Sequence, residues 1–325
     1  MAKKRSTCYS GIGGQAVLEG IMMKNKENYA VAVRKPDGEI ALELENYQGI
    51  LHGNKIKEWP FIRGVFNFID SMVLGMRCLN FSASFYEEEE EETVSNRRMS
   101  RESSEKMMNV IVTILSIVLA VGIFIALPLY IASLFEGIIR NRSIMLILEG
   151  ALRILIFLLY VWAISLMKDI RRLYRYHGAE HKCINCLEKG KELNVKNIMR
   201  SSRLHKRCGT SFMFYVIFVS IIVSFFITAE NPLMKVGLRI LLLPVVAGIS
   251  YEIIRLAGRS NNILVMILSA PGMLIQCLTT KEPDESMVEV AITAVEAVFD
   301  WRAYLNENFG YEYDLTARDV QEEDV

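Results

Sequence analysis

The amino-acid sequence predicts a mainly α-helical polytopic membrane protein, with about four transmembrane helices and a small N-terminal α/β cytoplasmic portion. Three observations lead there. Of the 325 residues 52% are hydrophobic and mean hydropathy is +0.25, a balance that argues against two ordinary soluble domains. The apolar residues are clumped into 107–131, 144–167, 211–228 and 236–254, each near the ~20 residues that cross a hydrocarbon core. Residues 14–48 instead show strand-like runs around a turn.

In chain order, 1–86 reads as a cytoplasmic hairpin followed by an amphipathic helix. Ala30, Val31, Ala32 and Val33 lead into a Pro36-Asp37-Gly38 turn and then Ile40 to Leu44, a hairpin signal. Gly11-Ile12-Gly13-Gly14-Gln15 lacks the Lys-Ser/Thr ending of a P-loop and is expected to be a flexible turn. From Trp59 to Phe85 the apolar residues Phe61, Ile62, Val65, Phe66, Ile69, Met72, Val73 and Met76 recur at three and four, the spacing of an amphipathic helix. Six consecutive Glu, Glu87 to Glu92, open an acidic and polar linker over 87–106.

The membrane portion is expected over 107–280. Pro128 and Pro244 should bend or end helices locally, and Glu149 and Arg153, one turn apart, should neutralise one another. Residues 263–278 are apolar but interrupted by Ala270-Pro271-Gly272, so each half is expected to lie in the interface or re-enter. The tail, 281–325, shows helical spacing from Ser286 to Phe299 and is expected to dock on something, a protein partner included. Lys and Arg are abundant in 1–106 and 168–207 and sparser in 132–143 and 229–235. The positive-inside tendency therefore puts both termini and the central 168–210 segment in the cytoplasm. Met1 to Cys8 leads into no apolar signal core, so no cleaved leader is expected.

The charge balance is even, 37 basic against 37 acidic residues, which removes any general attraction to nucleic acid and leaves the lipid bilayer as the expected partner. The six Cys, in a reducing compartment, are expected as thiols or metal ligands; Cys78 and Cys277 read as small buried apolar residues.

The chemistry concentrates in 168–210. His177, Glu180 and His181 form an H-x-x-E-H pattern; on a helix the two imidazoles stand about 40° apart around the axis, with the carboxylate in the same sector. Two His ligands flanking a Glu that is free to act as general base is the arrangement of the inverted zinc-hydrolase motif. Gly178, between them, weakens the helix by about 1 kcal/mol relative to Ala. A third ligand could come from His205, Cys208 or Glu252, a carboxylate at the cytoplasmic end of the fourth apolar stretch that could instead pair with Arg255. A competing arrangement closes a structural zinc site from Cys183, Cys186, His205 and Cys208.

Four ordered motifs carry a resemblance. Gly14-Gln15-Ala16-Val17-Leu18-Glu19-Gly20-Ile21-Met22, Tyr176-His177-Gly178-Ala179-Glu180-His181-Lys182, Ser202-Arg203-Leu204-His205-Lys206-Arg207-Cys208-Gly209-Thr210-Ser211 and Leu278-Thr279-Thr280-Lys281-Glu282-Pro283 resemble the YqhQ family of bacterial membrane proteins. That family, the domain of unknown function 1385, is described as a predicted metal-dependent enzyme. The resemblance implies a class without a substrate, and its pattern falls here on His177, Glu180, His181, His205 and Cys208 but not Cys183. Gln15 and Glu19 also match, with Glu19 either approaching the site or pairing within the soluble portion.

The expectation is therefore a multi-pass protein of the inner (plasma) membrane that performs metal-assisted hydrolysis at its cytoplasmic surface. Glu180 would be the base and His177, His181, His205, Cys208 and Glu252 the candidate ligands. Zinc suits the nitrogen and sulfur donors, with iron and manganese remaining open. The alternative is a non-catalytic membrane scaffold or regulatory protein whose His/Cys segment is structural, with or without zinc. No nucleophile elbow, Walker loop or kinase set ranks the substrates.

Overall fold

The computed structural model describes residues 7–50, 53, 55–86, 98–229, 231–259 and 262–315. Four strands, β1 (Gly13–Val17), β2 (Gly20–Asn25), β3 (Asn28–Arg34) and β4 (Ile40–Asn46), form an antiparallel meander in the order β1-β2-β3-β4. The β3–β4 hairpin turns through Pro36-Asp37-Gly38 as its sequence predicts, with Gly38 at φ 91°. The glycine-rich segment expected as a turn supplies β1 from Gly13 onward, because Gly13 to Val17 pair in register with Lys24 to Gly20. The two hairpins before it close through Leu18-Glu19 and Lys26-Glu27, with Glu19 at φ 50° and Lys26 at φ 56°.

Helices follow: α1 (Ile62–Ser84), α2 (Arg98–Val121), α3 (Leu127–Ser133), α4 (Arg142–Ile164), α5 (Lys168–Glu188), α6 (Val195–Met199), α7 (Gly209–Ser224), α8 (Pro232–Leu241), α9 (Leu243–Arg259), α10 (Ile263–Thr279), α11 (Glu285–Val298) and α12 (Trp301–Phe309). The expected acidic linker lies outside the described residues over 87–97, and its remainder, 98–106, is the start of α2.

Both faces of the sheet are covered, which is why Ala30 to Val33 read as a continuous apolar run rather than an alternating one. Ile21, Met23 and Ala32 pack against Tyr176, Ala179 and Cys183 of α5 and Val288, Ala291 and Val295 of α11. Met22, Val31 and Val33 face Leu74 and Cys78 of α1. The tail helix thus docks on the chain's own sheet and α5. It starts where the Asp284 side chain accepts from Met287 N–H at 3.0 Å.

Two segments, Val110–Ser133 and Arg142–Ile164, are long and apolar enough to cross a membrane; the first runs from α2 through a π-helical turn at Gly122–Ala126 into α3, beside Pro128. The pair α8 and α9, bent by 49° just before Pro244, makes a third if counted as one broken span. The expected third span begins at Gly209, capped by Cys208, but is shorter than anticipated because α7 ends at Ser224. The expected break at Ala270-Pro271-Gly272 is absent: α10 runs through Pro271, and a β-carbon on Gly272 would lie 2.9 Å from Ser211 Cβ, so this glycine lets α10 lie close on α7. Cys78 is buried as expected, whereas Cys277 is exposed.

Candidate metal centre

The 168–210 segment is mostly helix, and α5 carries the H-x-x-E-H residues on one face as the spacing expects. Gly178 has a specific role there. A β-carbon on it would stand 2.0 Å from the Lys281 carbonyl oxygen, so its hydrogen lets the chain after α10 cross directly over α5. Lys281 N–H donates to Tyr174 O at 2.9 Å, fixing that crossing.

Two backbone carbonyls set the histidine tautomers, one from the crossing and one from the segment before α7. His177 Nδ1 lies 3.0 Å from Thr279 O, and His181 Nδ1 lies 2.6 Å from Arg203 O. A carbonyl only accepts, so both Nδ1 atoms carry hydrogen and both Nε2 lone pairs are available to an ion, the outer support typical of metal-binding imidazoles. Their rings stand 4.4 Å apart, centroid to centroid. Cys208, at the N-cap of α7, brings its Sγ to 3.2 Å from His177 Nε2. One donor atom from each of His177, His181 and Cys208 lies within 4.8 Å of the others, the one such group among the described residues. Donors bound to zinc at tetrahedral angles are separated by about 3.5 Å, so the His177–Cys208 spacing needs to open only slightly. The donor set therefore fits a zinc-like ion.

Glu180 sits beside this trio, its Oε2 3.8 Å from His177 Nε2. Burial pushes its carboxyl above the ordinary range, while His177 and the Gly14 N–H pull the other way. A β-carbon on Gly14 would lie 2.9 Å from Glu180 Cγ, so the start of β1 closes over the carboxylate. The trio and Glu180 line a cavity of about 270 Å³ whose other walls include Gly11 to Gly14, His205 and Arg207.

His205 faces this cavity without joining the trio. Its ring is 5.6 Å from that of His181, and its Nε2 is 3.6 Å from Glu188 Oε2. Gln276 of α10 clamps its backbone, accepting from His205 N–H at 2.8 Å and donating to His205 O at 2.7 Å. Burial holds His205 below the ordinary imidazole range, against the opposing bond to Glu188. Glu188 is raised by burial but brought down to about 2 by His205, Arg207 and the Ser10 N–H.

Glu252 is not brought to the trio. It accepts from Arg63 Nε of α1 at 2.6 Å and pairs with the same guanidinium through its second oxygen. Arg63 on α1, not Arg255 on its own helix, is the geometric partner. Glu19 likewise ties the β1–β2 turn to α5: it accepts from Arg172 Nη2 at 2.6 Å and from Tyr176 Oη at 3.1 Å.

The closed three-thiol arrangement is not assembled. Cys183 lies in the apolar core between α5, the sheet and α11, where burial pushes its thiol well above the ordinary range. Cys186 is pushed up to about 11 by burial, and its Sγ lies 3.4 Å from Glu192 O. Sequence reasoning passed over Gln276, Glu188 and the Thr279 and Arg203 carbonyls. Backbone oxygens leave no signature in residue identity; Gly178, read from the sequence only as weakening its helix, is the trace the crossing leaves there.

A model of the family described as "Protein of unknown function (DUF1385)" matches residues 59–301. The uncharacterized protein YqhQ of Bacillus subtilis (strain 168) is 33% identical over 300 residues, covering 91% of this chain and 94% of that relative. No solved structure matches.

Proposed function

The chain belongs to the DUF1385 family, and we propose that it is a metal-dependent hydrolase of the inner membrane whose site opens at the cytoplasmic surface. The observation that supports this most is the paired tautomer control on α5: two backbone carbonyls hold both Nδ1–H groups, turning both Nε2 lone pairs over to a shared ion beside Cys208. His177, His181 and Cys208 would hold zinc. Bound there, the ion acts as a Lewis acid that acidifies water and polarises a substrate oxygen.

The chain's own residues do the rest. His177, His181 and Cys208 would supply three donors to such an ion, leaving the Glu180 side of the cavity to water and substrate. Glu180, buried and held above the ordinary carboxylate range, takes a proton at Oε2 and returns it to the leaving group. Arg207, held in the cavity wall by its pairing with Glu188, would turn its remaining guanidinium N–H groups to a substrate oxygen. In this reading α7 and the bent α8–α9 pair complete four crossings, with both termini cytoplasmic as the Lys and Arg distribution suggests.

The competing reading, a non-catalytic scaffold or regulator, draws on the direct His177–Cys208 contact, which lets the cluster close without an ion. Glu180→Gln separates the two. Hydrolysis expects the variant to retain metal yet fail to restore the phenotype of a deletion strain; full restoration favours the scaffold.

A further inference from the structure

A second unusual cluster lies in the membrane helices, away from the sheet. Glu149 and Arg153 of α4 do not simply neutralise one another, because Arg239 of α8 reaches the same carboxylate. Arg153 Nη2 donates to Glu149 Oε1 at 2.6 Å, and Arg239 Nη2 donates to Oε2 at 2.8 Å. Arg153 Nη1 also donates to Ser220 Oγ of α7 at 2.9 Å. The three charged side chains are only 5–8% exposed.

Two guanidiniums against one carboxylate leave an excess positive charge inside an apolar bundle, which hydrocarbon does not solvate. Among the described residues the buried Nε–H groups of Arg153 and Arg239 have no acceptor. A polar cluster normally completes its hydrogen bonds, and a site with surplus donors and surplus charge is complementary to an anion.

The surroundings say which kind of anion. Arg239 borders two cavities of opposite character. One, of about 440 Å³, has walls that are apolar apart from Arg153, Arg239, Ser220 and the Tyr160 hydroxyl, with Phe157 and Val246 among them. The other, of about 610 Å³, sits toward the helix ends remote from the sheet and sets Arg140, Arg142, Lys235 and Arg239 against Glu136 and Glu149. An apolar slot meeting a cationic polar chamber at one arginine has the form of an amphiphile with an anionic head.

We propose that Arg153, Arg239 and the cationic chamber bind an anionic phospholipid, its phosphate in the chamber beside Arg239 and an acyl chain in the apolar slot. The site stands apart from the metal centre and does not depend on it. The lipid is preferred over a soluble anion because the apolar slot adjoins the charged chamber directly.

The test is native mass spectrometry of the full chain in nonionic detergent, titrated with dioleoyl phosphatidylglycerol or dioleoyl phosphatidylcholine. The first phosphatidylglycerol adduct should form at roughly fivefold lower lipid concentration than the phosphatidylcholine adduct. Arg239→Leu, which leaves Glu149 and Arg153 as a neutral pair, should remove that preference, whereas Arg77→Leu on the soluble portion should leave it intact. Equal affinity of the wild type for both lipids, or a preference that survives Arg239→Leu, overturns the proposal. Should Arg239→Leu not fold, thermal unfolding of the wild type decides. A midpoint raised by phosphatidylglycerol, but by neither phosphatidylcholine nor inorganic phosphate, supports the site; an equal rise with inorganic phosphate marks a soluble-anion site and refutes the lipid.

Discussion

Gly178 and Lys281 are in backbone contact, with room for a hydrogen and none for a methyl: a β-carbon on Gly178 would stand 2.0 Å from Lys281 O. The same crossing delivers Thr279 O to His177 Nδ1 at 3.0 Å. On helix propensity alone Gly178→Ala should stabilise α5 by about 1 kcal/mol. The crossing reverses that sign. The variant is expected to unfold at a lower temperature than wild type and to carry less metal, read by thermal unfolding and elemental analysis; a more stable variant with full metal would refute the linkage.

Glu180→Gln keeps the side chain's size beneath Gly14 and removes its capacity to take a proton. Metal content and thermal stability should stay near wild type while function in cells is lost. Gly14→Ala is its structural counterpart, since a β-carbon there would lie 2.7 Å from Met22 O and 2.9 Å from Glu180 Cγ. It should disturb both stability and function, as a thermal melt beside the same complementation assay would show.

Glu188 gives the folded chain a pH-dependent stability. Its carboxyl lies at about 2 in the folded chain against an ordinary 4.5, because His205, Arg207 and the Ser10 N–H outweigh its burial. A carboxyl depressed on folding contributes stability that is fully present above about 4.5 and is lost as the pH falls toward 2. Unfolding midpoints measured across that window should fall with acidification in the wild type, and more gently in Glu188→Gln.

Glu252→Gln should leave bound metal unchanged, because Glu252 is committed to Arg63. Both side chains of that pair are 22% exposed, so its loss is expected to cost roughly 1 kcal/mol or less. Loss of the ion from this variant would put Glu252 back among the ligands.

The sequence made some of this legible and hid the rest for identifiable reasons. The β3–β4 hairpin announced itself through Pro36-Asp37-Gly38, whereas the tighter two-residue turns at Leu18-Glu19 and Lys26-Glu27 have neither glycine nor asparagine at their central positions and gave no signal. The amphipathic spacing of α1 and α11 was readable, but that α11 covers the sheet is a long-range fact. His177, Glu180 and His181 were evident from spacing on one helix. Cys208 was one of several possible third donors, because its approach depends on where the N-terminus of α7 meets α5. The Arg239 contact with Glu149 crosses 90 residues and could not be read from the i, i+4 pattern that pointed to Arg153 alone.

The proposed hydrolase requires one divalent ion shared by His177, His181 and Cys208. Elemental analysis of detergent-purified wild type, His181→Ala, Cys208→Ser and Cys183→Ser tests it most directly. About one equivalent of zinc-like metal is expected in wild type and Cys183→Ser, with a marked loss in the other two. Full metal in His181→Ala together with its loss in Cys183→Ser would contradict it.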